Sequence, residues 1–129
     1  MGYPTLLNGI RISGGYNHDY STAERIIGTW IDGKALYEKV FDFGVLPNTT
    51  LKSVDSGITG IDKIIRVNGF AETSGVTINV PYIEATSSTS KQTIDIWYNK
   101  TTNKVEVNTN FNASSFYGYI IVQYTKTNS

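Results

Sequence analysis

The sequence predicts an all-β protein, an antiparallel β-sandwich of jelly-roll-like type, and three observations predict it. Thr, Ser, Asn, Gly and Tyr dominate while Leu, Ala, Glu and Met are sparse, a composition of strands and loops poor in helix formers. Apolar and polar residues alternate in several short runs, the period of a strand with one covered face. Turn signals punctuate those runs often enough to fit several short strands into 129 residues. That length suits one domain with a core large enough to need no staples.

Along the chain, residues 1–18, with Gly9, Gly14 and Gly15, read as a lead-in or linker, and residues 19–129 as the sandwich domain. Asp32-Gly33 predicts a two-residue hairpin turn of type I′, which needs positive φ at both central positions. Its strands are expected over Arg25–Ile31 and Lys34–Phe43. On the second, Tyr37, Phe41 and Phe43 face one way; Glu38, Val40 and Asp42 face the other. Lys39 falls on the apolar side, its stem along the core and its ammonium reaching water. The one helical candidate, Ile58 to Ile65, is broken by Gly57 and Gly60 to at most one turn.

Val76, Ile78 and Val80 alternate with Thr77 and Asn79 until Pro81, which ends the strand or places it at an edge. Ser87-Ser88-Thr89-Ser90 is a loop by composition. Ile94, Ile96 and Tyr98 share one face of the next strand; Thr93, Asp95 and Trp97 share the other. Asn99 to Lys104 reads as a hairpin loop, after which Val105 and Val107 alternate with Glu106 and Asn108. The closing run, Tyr117 to Thr125, is apolar on both faces, as expected of a strand buried centrally or against a neighbouring chain.

Composition also excludes function classes. Eleven basic and eleven acidic residues cancel, with neither sign collected in a block, which removes the footprint of a nucleic-acid binder. No cysteine is present, so disulfides and thiolate chemistry are excluded. No apolar run approaches a membrane span, and no membrane insertion is expected. Near-zero charge suits a chain that lives inside an assembly.

Little of the chain points to catalysis. The single histidine, His18, neighbours Asp19 and Ser21, and three chain neighbours cannot form a relay triad. Asp55, Asp62 and Glu72 lack the dense spacing of a calcium loop, so no metal or cofactor is expected. Asp95 and Glu106 on neighbouring strands are the one carboxylate pair at glycosidase spacing, and exposed acids on strands are ordinary surface. The expectation is a protein that is not an enzyme.

The aromatics say more. Nine Tyr and two Trp exceed what a small core needs. Trp97 shares a face with Asp95, and Asn99 continues that face into the loop. An aromatic plane beside a carboxylate and an amide is equipment for a sugar ring, whose C–H face lies on the ring while its hydroxyls bond the polar groups. Trp97, Asp95, Asn99, Tyr117 and Tyr119 are therefore the candidate ligand residues. Packing of Trp97 against another subunit is the alternative, since aromatics are enriched at interfaces too.

Tyr20-Ser21-Thr22, Gly28 to Lys34 (Gly-Thr-Trp-Ile-Asp-Gly-Lys), Asp42-Phe43-Gly44 and the closing Tyr124 to Thr127 carry a resemblance. Together with "SGITGIDKIIRVNGF" (Ser56 to Phe70), they resemble the C-terminal receptor-binding head of phage tail-fibre and phage minor structural proteins. The likeness spans nearly everything after His18. Ala35-Leu36 departs from it, where proline followed by an aliphatic residue is usual. The resemblance implies a homotrimeric fibre tip in the virion, joined to the rest of the tail fibre and extracellular when acting. It implies a tip that meets the host surface without showing what is bound; the expected partner there is host cell-surface polysaccharide or a teichoic-acid-like glycan. It carries over no fixed ligand contacts, and a purely structural trimerisation or docking module is the alternative role.

Overall fold

The computed structural model describes residues 18–84 and 91–127. Among them the chain forms nine β-strands and no helix: β1 (Arg25–Thr29), β2 (Ala35–Val45), β3 (Leu51–Asp55), β4 (Ile61–Glu72), β5 (Thr77–Val80), β6 (Tyr82–Ile83), β7 (Thr93–Asn99), β8 (Lys104–Thr109) and β9 (Tyr117–Lys126). They make two antiparallel sheets, ordered β1-β2-β9-β4-β5 and β3-β8-β7-β6. The links β2–β3, β3–β4, β5–β6 and β8–β9 each pass from one sheet to the other. The fold is an all-β sandwich. The lead-in expected over residues 1–18, His18 apart, and the loop Ser87 to Ser90 lie outside the described residues.

Alternation places the core. Phe41, Phe43, Ala71, Val80, Ile120, Val122 and Tyr124 bury from the larger sheet, and Ile94, Val105 and Val107 from the smaller; Leu46, Ile58 and Ala113 close the ends. Each fully buried aliphatic side chain contributes about 1.5–3 kcal/mol against its exposed state. The terminal strand is central in its sheet, between β2 and β4, one of the two placements that its two-faced apolar run allows. β5 ends at Val80, before a cis Val80–Pro81 bond, and lies at the sheet edge.

One local expectation is corrected, and two others are made definite. The Asp32-Gly33 turn is not a two-residue type I′ turn. Trp30 and Lys34 close the loop: Trp30 N–H donates to Lys34 O at 2.8 Å, and Gly33 N–H to Trp30 O at 2.9 Å. Only Gly33, at φ +88°, is left-handed, while Asp32 Oδ1 accepts from Lys34 N–H. This is a three-residue loop, a type I turn completed by a glycine bulge. The flanking strands accordingly end at Thr29 and begin at Ala35.

The helical turn at Ile58 to Ile65 does not form. Gly57 and Gly60 turn left-handed at φ +68° and +69°, and β4 starts at Ile61. Lys39 sits on the apolar side as expected, and the ammonium of this half-buried residue donates to the Ser56 carbonyl at 2.6 Å. Lys52 of β3 mirrors it across the sheets. Its ammonium accepts nothing and donates twice, to the Phe43 and Val45 carbonyls at 2.9 and 2.8 Å, where the β2 register slips between Asp42 and Gly44. Two lysines thus tie β2 and the β3 segment together.

Two glycines test this account. Gly69 sits where a Cβ would lie 1.9 Å from the Tyr119 carbonyl oxygen, in the β4–β9 ladder. Backbone in a ladder cannot step aside, so Gly69→Ala should cost about 3 kcal/mol or more in denaturant unfolding. Gly75→Ala, facing open space, should stay within about 0.5 kcal/mol of the parent.

Gly33→Val should lower melting temperature and folding yield, by about 1–2 kcal/mol for a side chain forced left-handed. Unchanged melting by calorimetry would refute the turn assignment.

Candidate functional site

Directly opposed residues in an antiparallel pair point to the same side, so register assigns every outward residue to a face. On the four-stranded sheet one outward row runs Ser53–Glu106–Trp97, and the neighbouring row Leu51–Asn108–Asp95. Trp97 is 39% exposed on this face, opposite buried Ile94, as the alternation predicts. Its indole N–H donates to Glu106 Oε1 at 2.8 Å, which fixes the ring's tilt toward β8 and leaves its surface partly open.

Glu106 collects three donors. Besides Trp97 it receives the Ser53 hydroxyl on Oε2 at 2.7 Å and the Asn99 amide on Oε1 at 3.2 Å. Those hydrogen bonds, Ser53's first, hold its carboxyl below the usual value of 4.5, with Lys104 adding attraction. Asn99 is spent in the same way: its Oδ1 accepts from the Thr101 and Thr102 backbone N–H groups and shapes the β7–β8 loop. Of the candidate trio, Asn99 is a loop-former whose polar groups are already engaged. The sequence missed Glu106's role, although a hairpin closed by Asn99 and Lys104 already places Trp97 beside Glu106.

Asp95 differs. It lines a concavity of about 260 Å³ with Pro81, Tyr82, Ile83 and Thr93, at the β6 side of β7. Its side chain has no hydrogen-bonded or ionic partner among the described residues and leaves a carboxylate at an apolar hollow.

Tyr117 and Tyr119 belong elsewhere. They lie on the outer face of the five-stranded sheet, so the five candidate residues divide between opposite surfaces of the sandwich and do not form one site. On their own face Phe70 and Tyr119 stack at 5.2 Å, and Tyr117 tilts against Tyr119 at 5.4 Å. The Tyr117 hydroxyl donates to Asp42, and this bond, with burial, raises its pKa. Tyr20, Val40, Phe70, Tyr119 and Ile121 line a groove of about 230 Å³ with a wholly apolar surface.

At the other end of that face Glu38, expected to face outward, does so yet is buried. His18 Nε2 stands 2.8 Å from its Oε1, and the Gln123 amide donates to Oε2 at 3.0 Å. His18 thus covers a carboxylate, a role its sequence neighbours did not suggest. Glu24 is similarly occupied, by the Tyr124 hydroxyl at 2.5 Å and the Lys126 ammonium at 2.9 Å. Burial opposes its charge, but those two hydrogen bonds outweigh it and lower its pKa. Burial first, then the Glu24 bond, raises that of Tyr124. Among the described residues no three His, Cys, Asp or Glu side chains gather as a metal site.

No family model, no curated protein and no solved structure matches the chain.

The bonded carboxylates make a pH prediction. Glu24, Asp62 and Glu106 all have lowered folded-state pKa values, Asp62 through its bonds to Lys34 and Lys63. Their stabilisation is complete above the unfolded values and is lost as pH falls through the folded ones. Melting temperature should therefore hold from neutral pH to about 5 and fall below about 4. Glu106→Gln should lose part of that fall while keeping the plateau in a pH series of thermal melts.

Proposed function

We propose that this domain is a non-enzymatic receptor-binding head at the tip of a phage tail fibre, a homotrimer that attaches to host cell-surface glycan. The observation that carries the reading is the pairing of a free carboxylate, Asp95, in an apolar hollow with the partly open Trp97 ring on the same face. A ring whose N–H is tied down presents its π surface without reorientation, the preorganisation that weak ligands need. Asp95 accepts hydrogen bonds from sugar hydroxyls, and its charge disfavours phosphate-bearing glycans. The expected ligand is therefore a neutral or amino-sugar polysaccharide in preference to a teichoic-acid-like one. Several sites in one trimer raise avidity through effective concentration.

The non-catalytic part of the reading has a physical support. In the Asp95–Glu106 pair, Glu106 is held as a carboxylate by three donors, the wrong direction for a general acid. A second role, a structural module that trimerises the fibre end or docks another virion protein, is favoured by the apolar groove on the opposite face.

Cell adsorption and glycan-array binding separate the two. Asp95→Ala and Trp97→Ala should each weaken glycan binding roughly tenfold or more, at unchanged oligomer mass. Soluble host glycan should block adsorption of the parent. Binding that survives both substitutions removes this face from the account, and loss of the oligomer on Trp97→Ala moves Trp97 to an interface.

A further inference from the structure

The outward face of the five-stranded sheet is ordered by charge as well as by polarity. Register sets four rows across it. The first runs Arg25–Glu38–Gln123–Arg66 and the second Val40–Ile121–Asn68. The third is Asp42–Tyr119–Phe70–Asn79 and the fourth Val45–Tyr117–Glu72–Thr77. With Glu38 buried under His18, the first row presents Arg25 and Arg66 to the outside. The last two rows present Asp42 and Glu72. Between them lie the apolar groove and the aromatic stack.

β4 alone displays the pattern: Arg66, Asn68, Phe70 and Glu72 follow one another on its outer side. Arg66 and Glu72 are both exposed, and neither has a hydrogen-bonded or ionic side-chain partner among the described residues. Opposite charges left unpaired at the two ends of an apolar band are complementary to the same band running the other way.

We propose that this face is the contact between copies of this chain, each copy's Arg25–Arg66 end meeting the Asp42–Glu72 end of the next. The inference rests on the assembly half of the reading above and names the surface that performs it. Three such faces turned inward, with strands running across the rotation axis, set every basic end against an acidic end and close into a ring. Strands running along the axis would set like against like. The rows cross three or four strands at about 4.8 Å over seven residues at about 3.3 Å, a footprint of roughly 330–440 Å² per copy before side-chain relief, which a ring divides between two neighbours; charge pairing and the Phe70–Tyr119 stack, more than area, carry the contact.

A charge exchange in the full chain tests it, read by light scattering at micromolar concentration with melting temperature as the folding control. Arg66→Glu and Glu72→Arg should each raise the dissociation constant about tenfold or more, because like charges then meet. The two together should restore the parent mass. Phe70→Asp should give a folded monomer. An oligomer untouched by the single changes, or singles that dissociate without rescue by the pair, overturns the proposal while leaving trimeric assembly standing. A monomeric parent overturns both, and the Asp95 binding assay remains readable by itself. Loss of glycan binding at unchanged mass in Phe70→Ala would make this face a ligand site and also overturn the proposal.

Discussion

The β9 ladder holds the sandwich together. This strand bonds β2 on one side and β4 on the other, and it sends Ile120, Val122 and Tyr124 into the core. Its pairings are long-range; Glu38 and Gln123 meet across 85 positions. Ordering each backbone residue costs about 1–2 kcal/mol, and burial of these side chains offsets it only once both neighbours are in place. The larger sheet therefore forms as a unit, with its middle strand supplied by the end of the chain. Glycines at Gly69 and Gly118 leave the room this requires: a Cβ would meet the Tyr119 carbonyl at the first and the Leu46 side chain at the second.

Around that ladder the protein uses most of its acids internally. Glu24 ties the segment before β1 to Tyr124 and Lys126 of β9. Glu38 binds His18 to the sheet, Glu106 joins β3, β7 and β8, and Asp62 holds Lys34, just before β2, at 2.9 Å. Each of these carboxylates is met by two or more donors or a cation, which is what makes a partly covered charge tolerable. The charges without such partners stand out by contrast. Among the described residues, the side chains of Asp95 on one face, and of Arg66 and Glu72 on the other, meet no such partner.

The two faces offer different chemistry. A carboxylate and a threonine hydroxyl beside a partly open tryptophan suit a hydroxylated ligand of modest size. An apolar groove flanked by charges of opposite sign suits a macromolecular partner with the same features reversed. The two proposed uses are compatible because the sheets turn their outer faces in opposite directions, so that neither would obstruct the other.

Much of the local architecture was legible in the sequence, since a strand's period of two is a property of neighbouring residues. Val105 and Val107 inward, Asp95 and Trp97 outward and the end of β5 at Pro81 all follow from it, and the central place of the last strand is one of the two that it allows. Turn detail was less legible: Asp-Gly favours a hairpin, but loop length depends on which residues close it, and Trp30 with Lys34 added one to the count. Only tertiary structure decided which strands share a sheet. That choice put Tyr117 and Tyr119 on the surface opposite Trp97, brought Phe70 and Tyr20 beside them, and aligned Arg66 with Glu38 through Gln123. No local pattern encodes those neighbours, because pairing between distant strands is selected by the burial of both at once. Alternation assigns a residue to a side of its own strand; the assembled sheets decide what that side confronts.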